Sequence, residues 1–182
     1  MNRAEFNSVF KSEFLNRLKP AGFAVSGKNV FLRDGVNMTA LIRMGGKYAW
    51  LPSMSWVLCF RHTFLRNNKD TQIPKGIGDV FDYPFKFCPE ALMRISSSKW
   101  NYTPQNLNYD REEFDYEKES SLQVSRRLNK LADFLVSEFV PWTRSMTPDR
   151  AQKEILQHGE QAWIEKIWLE DYANFLNGKT PV

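Results

Sequence analysis

Two runs of alternating residues constrain this chain more than anything else in its sequence. From Val36 to Met44 the even positions Val36, Met38, Ala40, Ile42 and Met44 are apolar, while the odd ones include Asn37, Thr39 and Arg43. Ser53 to Arg61 repeats the pattern, with Met54, Trp56, Leu58 and Phe60 on one side and Ser53, Ser55, Val57, Cys59 and Arg61 on the other. A period of two describes strands with one buried and one wetter face, and two such runs in succession do not read as helix. Grouping the even positions of both runs as the core leaves Thr39, Leu41, Arg43, Ser55, Val57, Cys59 and Arg61 on the wetter face.

The strands before them follow from turn chemistry. Ser26-Gly27-Lys28-Asn29 joins a first strand beginning at Phe23–Val25 to a second carrying Val30 and Leu32. Asp34-Gly35 marks the next hairpin, because glycine takes positive φ at no steric cost. A two-residue loop pairs Arg33 with Val36, whereas a three-residue loop with Gly35 left-handed pairs Leu32 with Val36 and Val30 with Met38. The second register makes the apolar sets coincide and is the expected one. Phe81, Tyr83, Phe85 and Phe87 alternate around Pro84 and fit an edge strand, and Ala91 to Ile95 reads as a further short strand.

Helices bracket this sheet. Phe6, Val9, Phe10, Phe14, Leu15 and Leu18 recur at spacings of three and four, with Lys11, Glu13, Arg17 and Lys19 among them, and Pro20 and Gly22 stop the pattern. Leu122, Leu128, Leu131, Ala132, Leu135, Val136 and Phe139 form the stripe of a long helix expected to end at Pro141. Thr147-Pro148 opens a shorter helix as N-cap and first helical position. A last helix from about Glu160 carries Trp163, Ile167, Trp168, Tyr172 and Phe175, with Gly178 as its C-terminal cap. Strands grouped together, rather than alternating with helices, give an α+β fold. The expectation is a single domain over residues 1–182, sheet-rich over 1–100, an acidic connector over 101–119 and helical over 120–182. An antiparallel meander of about five strands would carry the C-terminal helices on one face.

Composition narrows the function classes. At 42% hydrophobic and 14% aromatic residues the chain is not disordered. The charged residues scattered through its first twenty positions do not resemble a secretory signal or a membrane span, so a cytoplasmic setting is expected. Cys59 and Cys88 are too few for a disulfide framework or a cysteine-based zinc site. Net charge is +4, but residues 1–100 hold 15 Lys/Arg against 7 Asp/Glu, and residues 101–182 hold 10 against 14. The basic half can meet an anionic partner or simply face the acidic half.

No motif with a chemical mechanism emerges. Gly76-Ile77-Gly78, in a polar loop from Arg66 to Asp79, lacks the third glycine of a dinucleotide fingerprint and reads as a turn. Cys59 with His62 or His158 is the best nucleophile–base pair, yet Cys59 and His62 lie an odd number apart on one strand and point to opposite faces. Asp115, Glu117 and Glu119 invite a metal reading, but acids massed before a helix answer its positive N-terminal end. No catalytic residue, metal site or cofactor is assigned.

The opening FKSEFLNRLKPAGFAVSGKNVFLR and the later FLVSEFVPWTRSM resemble a family of small bacterial α+β proteins catalogued only as a domain of unknown function. Family members commonly carry Asn and Gln in the strand after the hairpin, where this chain has VNMTALIRM. The resemblance implies a fold and hands over no activity. The leading expectation is therefore a non-catalytic protein-interaction or ligand-binding domain in an accessory or immunity-type role. Thr39, Arg43, Ser55 and Arg61 on the wetter face are the candidate binding residues, since arginine forks suit carboxylates and phosphates. Nucleic acid is the further partner class, through Lys47, Tyr48, Trp50, Arg61, Phe64 and Arg66.

Overall fold

A computed structural model describes residues 1–44, 53–67, 73, 76–100, 112–115, 118–158 and 166–179. The expected connections at Gly45-Gly46 and Pro52, most of the 101–119 connector, and the start of the last helix lie outside these residues.

The chain opens with α1 (Arg3–Val9), nucleated by a capping box. The Asn2 side chain accepts from the amides of Ala4 and Glu5, and the Glu5 carboxylate takes the Asn2 amide at 2.8 Å. A π-helical turn over Phe10–Leu15 leads into α2 (Asn16–Leu18) and a 3₁₀ turn over Lys19–Ala21, which stops at Gly22 with φ +89°. Phe6, Phe14 and Leu18 form its buried stripe.

Six strands follow in one antiparallel sheet: β1 (Ala24–Ser26), β2 (Asn29–Asp34), β3 (Asn37–Met44), β4 (Ser53–His62), β5 (Phe85–Phe87) and β6 (Glu112–Asp115). β1 to β5 run in sequence order as a meander, and β6 joins the same edge of β4 as β5, against Ser53–Trp56 rather than Leu58–Phe60. The architecture is the α+β fold that the sequence predicts, with the helical segments gathered over one sheet face.

Register is where expectation fails. The β2–β3 hairpin closes Asp34 against Asn37, with Gly35 (φ +58°) and Val36 in the turn, so Leu32 faces Thr39 and Val30 faces Leu41. Glycine comes first in the loop, an arrangement suited to the twist of a two-residue hairpin. Neither sequence-based register had Val36 in the turn. Between β3 and β4 the pairs are Met38 with Arg61, Ala40 with Cys59 and Ile42 with Val57. Directly opposed residues share a face, so the even positions of β3 sit with the odd positions of β4.

The single wetter face therefore does not exist. One side of the sheet carries Val30, Leu41, Trp56, Leu58, Phe60, Phe85 and Phe114 into the large core beneath the helices. The other carries Met38, Ala40, Ile42, Val57 and Cys59 into a second, smaller core with Val80 and Tyr83, and partly buried Phe31 and Ile77 pack against it. Ile77, in the loop that the sequence marks as polar, thus helps cover the sheet. A 3₁₀ turn at Val80–Asp82 stands where an edge strand was predicted to begin. Ala91 and its neighbours form α3 (Pro89–Leu92) instead of a strand.

The long helix also departs from expectation. α4 (Ser121–Phe134) continues through a π-helical turn, Leu135–Phe139, into α5 (Val140–Ser145), so Pro141 does not end it. Proline lacks an amide and clashes with the carbonyl four residues back in a regular helix. In the widened turn the Val140 amide reaches back to the Leu135 carbonyl, which places proline at the start of a fresh α-helical segment. α6 (Pro148–Gln157) is capped by the Thr147 hydroxyl, as predicted. α7 (Lys166–Leu176) ends with Gly178 at φ +63°, the amides of Gly178 and Lys179 reaching the Phe175 and Asn174 carbonyls in a Schellman arrangement.

If both faces are buried, Val57→Thr, nearly isosteric but bringing a hydroxyl into the second core, should lower unfolding stability by about 1–3 kcal/mol. Urea denaturation measures it, and a neutral result would restore the wetter-face reading.

Candidate functional site

The four residues singled out from sequence are scattered by the true register. Thr39 lies on the helix-covered face, 2% exposed, and its hydroxyl donates to Thr143 Oγ1 at 3.3 Å while Asn37 Nδ2 donates to the Thr143 carbonyl at 2.9 Å. These bonds fasten β3 to α5. Ser55 and Arg61 lie on the opposite face and are buried. Arg61 donates to the carbonyls of His62 and Leu65, its guanidinium is 5.6 Å from the Tyr83 ring, and burial pulls its pKa down. Only Arg43 remains half-buried on a surface that a ligand can reach.

The nucleophile candidate fails on geometry and chemistry together. Cys59 is fully buried in the second core, where desolvation pushes its thiol well above the ordinary range. His62 is equally buried on the other face, among Phe60, Phe64 and Trp168, with ring centroids 5.2–5.7 Å away. Its Nε2 donates to the Met146 carbonyl at 3.0 Å, and burial holds its pKa down to about 4, so it is neutral. It ties the end of β4 to the end of α5.

The acidic run is likewise engaged in the fold. Glu119 pairs with Arg127 at 2.6 Å, the Arg127 guanidinium lies 4.3 Å from the Phe114 ring, and Lys118 pairs with Asp115 at 3.2 Å. Glu117 lies outside the described residues. Among the described residues no group of His, Cys, Asp and Glu is placed to hold a metal ion. No described helix is long and apolar enough to cross a membrane.

The residues suggested for nucleic acid are divided too. Lys47, Tyr48 and Trp50 are outside the described residues. Phe64 is stacked on Phe175 at 4.6 Å and on Tyr172 at 5.7 Å, and Arg66 is fastened to the buried Asp171 through its amide (2.7 Å) and Nε (2.5 Å). Burial raises the Asp171 pKa against the opposing effect of Arg66.

What the fold does build is a groove of about 330 Å³ between the first helical segment and the β1–β3 edge of the sheet. Its apolar lining is Phe10, Leu15, Val25 and Trp56. Around this lie Lys11, Lys19, Lys28 and Arg43, and none of its described lining residues is acidic. Each cation has a local cause. Lys11 and Lys19 ride on one helical segment, while Lys28 is held out by the β1–β2 turn, where Gly27 takes φ +61°. Asn29 Oδ1 accepts the Arg43 amide at 2.9 Å, which knits that turn to β3 and brings Arg43 near Lys28. Arg43, with smaller contributions from burial and Arg3, holds the Lys28 pKa below its ordinary value. A second hollow of about 420 Å³, lined by Ser97, Ser98, Ser137, Ser145, Glu138 and Arg150, has mixed charge, and Arg150 is engaged by Glu154 and Ser145.

Sequence reasoning found Arg43 but missed Lys11, Lys19 and Lys28, because on a helix and a turn they read as solvated positions. The available signal was the charge asymmetry of the first hundred residues. Comparison with protein-family models, curated proteins and solved structures yields no match.

The buried neutral imidazole carries a pH dependence. An unfolded histidine titrates near 6.5 and this one near 4, so the unfolded state binds the extra proton between those values. The His62 contribution, about 3 kcal/mol by linkage, is present above pH 6.5 and is lost as pH falls through 4. Chemical denaturation from pH 7.5 to 5 should show falling stability, and His62→Phe should flatten that slope; an unchanged slope contradicts the assignment.

Proposed function

We propose that the protein is a non-catalytic ligand-binding domain whose groove takes a small anionic molecule with an apolar body. The observation that carries this reading is four cationic side chains around an apolar floor with no acid in the described lining. An ordinary solvated surface intersperses both signs. A cationic rim over phenylalanine, leucine, valine and tryptophan instead matches an anionic head on a hydrophobic body, with Arg43 offering a fork for carboxylate or phosphate. At about 330 Å³ the groove falls at the small end of ligand pockets, which span roughly 300–1,000 Å³. That size suits a small molecule better than a nucleic-acid strand, and the described aromatics that stacking would need are packed inside the fold.

Isothermal titration with hexanoate and 4-phenylbutanoate, each against its uncharged primary amide, tests the reading. The carboxylates should bind at least tenfold tighter than the amides. Arg43→Gln should weaken carboxylate binding by roughly 10- to 100-fold, as expected for loss of charge-assisted hydrogen bonds worth about 1.5–3 kcal/mol. Lys28→Gln should cost less, its charge being exposed and screened by salt. Equal binding of acid and amide, or indifference to Arg43→Gln, overturns the proposal.

A further inference from the structure

We infer that the anionic head taken by this groove is a dianion of the phosphate monoester class, a tetrahedral group with three free oxygens, rather than a single carboxylate. The inference rests on the ligand-binding reading of the groove and narrows its ligand to a small alkyl or aryl monophosphate.

The acids nearest in sequence do not offset the charge around the groove. Residues 1–44 contain three acids, Glu5, Glu13 and Asp34, against seven Lys/Arg. Each acid is engaged elsewhere: Glu5 closes the capping box on the Asn2 amide, Glu13 accepts from Asn129 Nδ2 at 3.1 Å, and Asp34 pairs with Arg144 at 2.6 Å. The stretch 45–52 that follows adds Lys47 and no acid. By register Glu112 lies opposite Trp56 and so two strands, roughly 10 Å, from Arg43. Lys11, Lys19, Lys28 and Arg43 thus surround a hollow whose described lining holds nothing of opposite sign.

These cations are not spread evenly. Lys28 feels Arg43 most strongly, then burial and Arg3, so three cations act together at one end, toward the start of the first helical segment. Lys11 and Lys19 stand two turns apart on that segment, on the order of 10 Å along its axis, beside the apolar floor of Phe10, Leu15 and Val25. An apolar body fits along the floor while its head meets Arg43 and Lys28. A carboxylate brings one charge and two oxygens. A phosphate monoester brings about −1.5 to −2 at pH 7 and three oxygens, so a guanidinium fork can take two of them and an ammonium the third. At equal distance Coulomb attraction scales with the charge of the head, so every cation of the set acts on the second charge as well as the first.

Hexyl phosphate and hexyl sulfate share a chain and a tetrahedral head and differ in the second charge, which the phosphate loses as pH falls through about 6. By calorimetry in low salt at pH 7.5, hexyl phosphate should bind about tenfold or more tightly than hexyl sulfate. At pH 5 that preference should shrink to about threefold or less, with the sulfate, which keeps its charge, reporting the protein's own response to pH. Lys28→Gln, in an exposed turn, should weaken the phosphate by about fivefold and the sulfate by about twofold at most. Free monoesters and phosphatidate headgroups present the same chemistry, and sedimentation with phosphatidylcholine vesicles carrying phosphatidate separates them. Vesicle binding without any binding of hexyl phosphate overturns the inference in favour of a membrane surface. If hexyl sulfate and hexanoate bind and the phosphate gains nothing, or if its preference survives at pH 5, the dianion inference is wrong while the anion groove stands. If no anion binds, both fall.

Discussion

The pairing of β3 with β4 is the constraint on which the rest of the structure depends. Eight residue pairs, from Asn37 with His62 to Met44 with Ser55, hold two strands that are buried on both faces. A slip of one residue would send Met38, Ala40 and Ile42 into the helix-covered core and Thr39 and Arg43 out of it. Two cores are thus fixed by one register. The larger takes Trp56, Leu58 and Phe60 beneath the helices, and the smaller takes Val57 and Cys59 under Val80 and Tyr83. Three polar links anchor helices to this pair near its Asn37–His62 end. Asn37 and Thr39 reach Thr143, and His62 reaches Met146.

Much of this was legible in the sequence, and the failures have physical reasons. Alternation within a strand tells which residues share a side of that strand. It does not tell which side of the neighbour they join, because that depends on the parity of the connection. Residues 44 and 53 are separated by a segment whose turn chemistry, Gly45-Gly46 and Pro52, sets no unique register. The apolar run from Trp56 through Phe60 carried the corrective signal, since Val57 and Cys59 are as apolar as their neighbours and such runs mark strands buried on both faces. Pro141 was misread for a different reason. Proline excludes a regular helical interior, but a π-helical turn is a geometry that composition does not announce.

Site legibility divided along the same line. Arg43 was recognisable because it falls on the polar phase of an alternating strand, where an arginine fork can meet an anion. Lys11 and Lys19 were not, because a lysine on the polar side of an amphipathic helix is the default solvated position. Only the packing of that helix across the sheet, with Phe10 against Trp56, turns them toward the same hollow as Lys28.

That hollow gathers cations of one sign around an apolar floor. Elsewhere several cations are answered by acids across elements: Arg17 by Asp133, Arg66 by Asp171 and Glu170, Arg127 by Glu119, Arg144 by Asp34. Mean surface charge therefore does not explain the groove, where Arg43 and Lys28 are close enough for one to depress the other's pKa. Like charges held together work against the folded state, by amounts that salt reduces. An anion placed between them is attracted by both, which sets shared attraction against their mutual repulsion. Charge of a single sign around a space of about 330 Å³ distinguishes this groove from the mixed-charge hollow near Arg150.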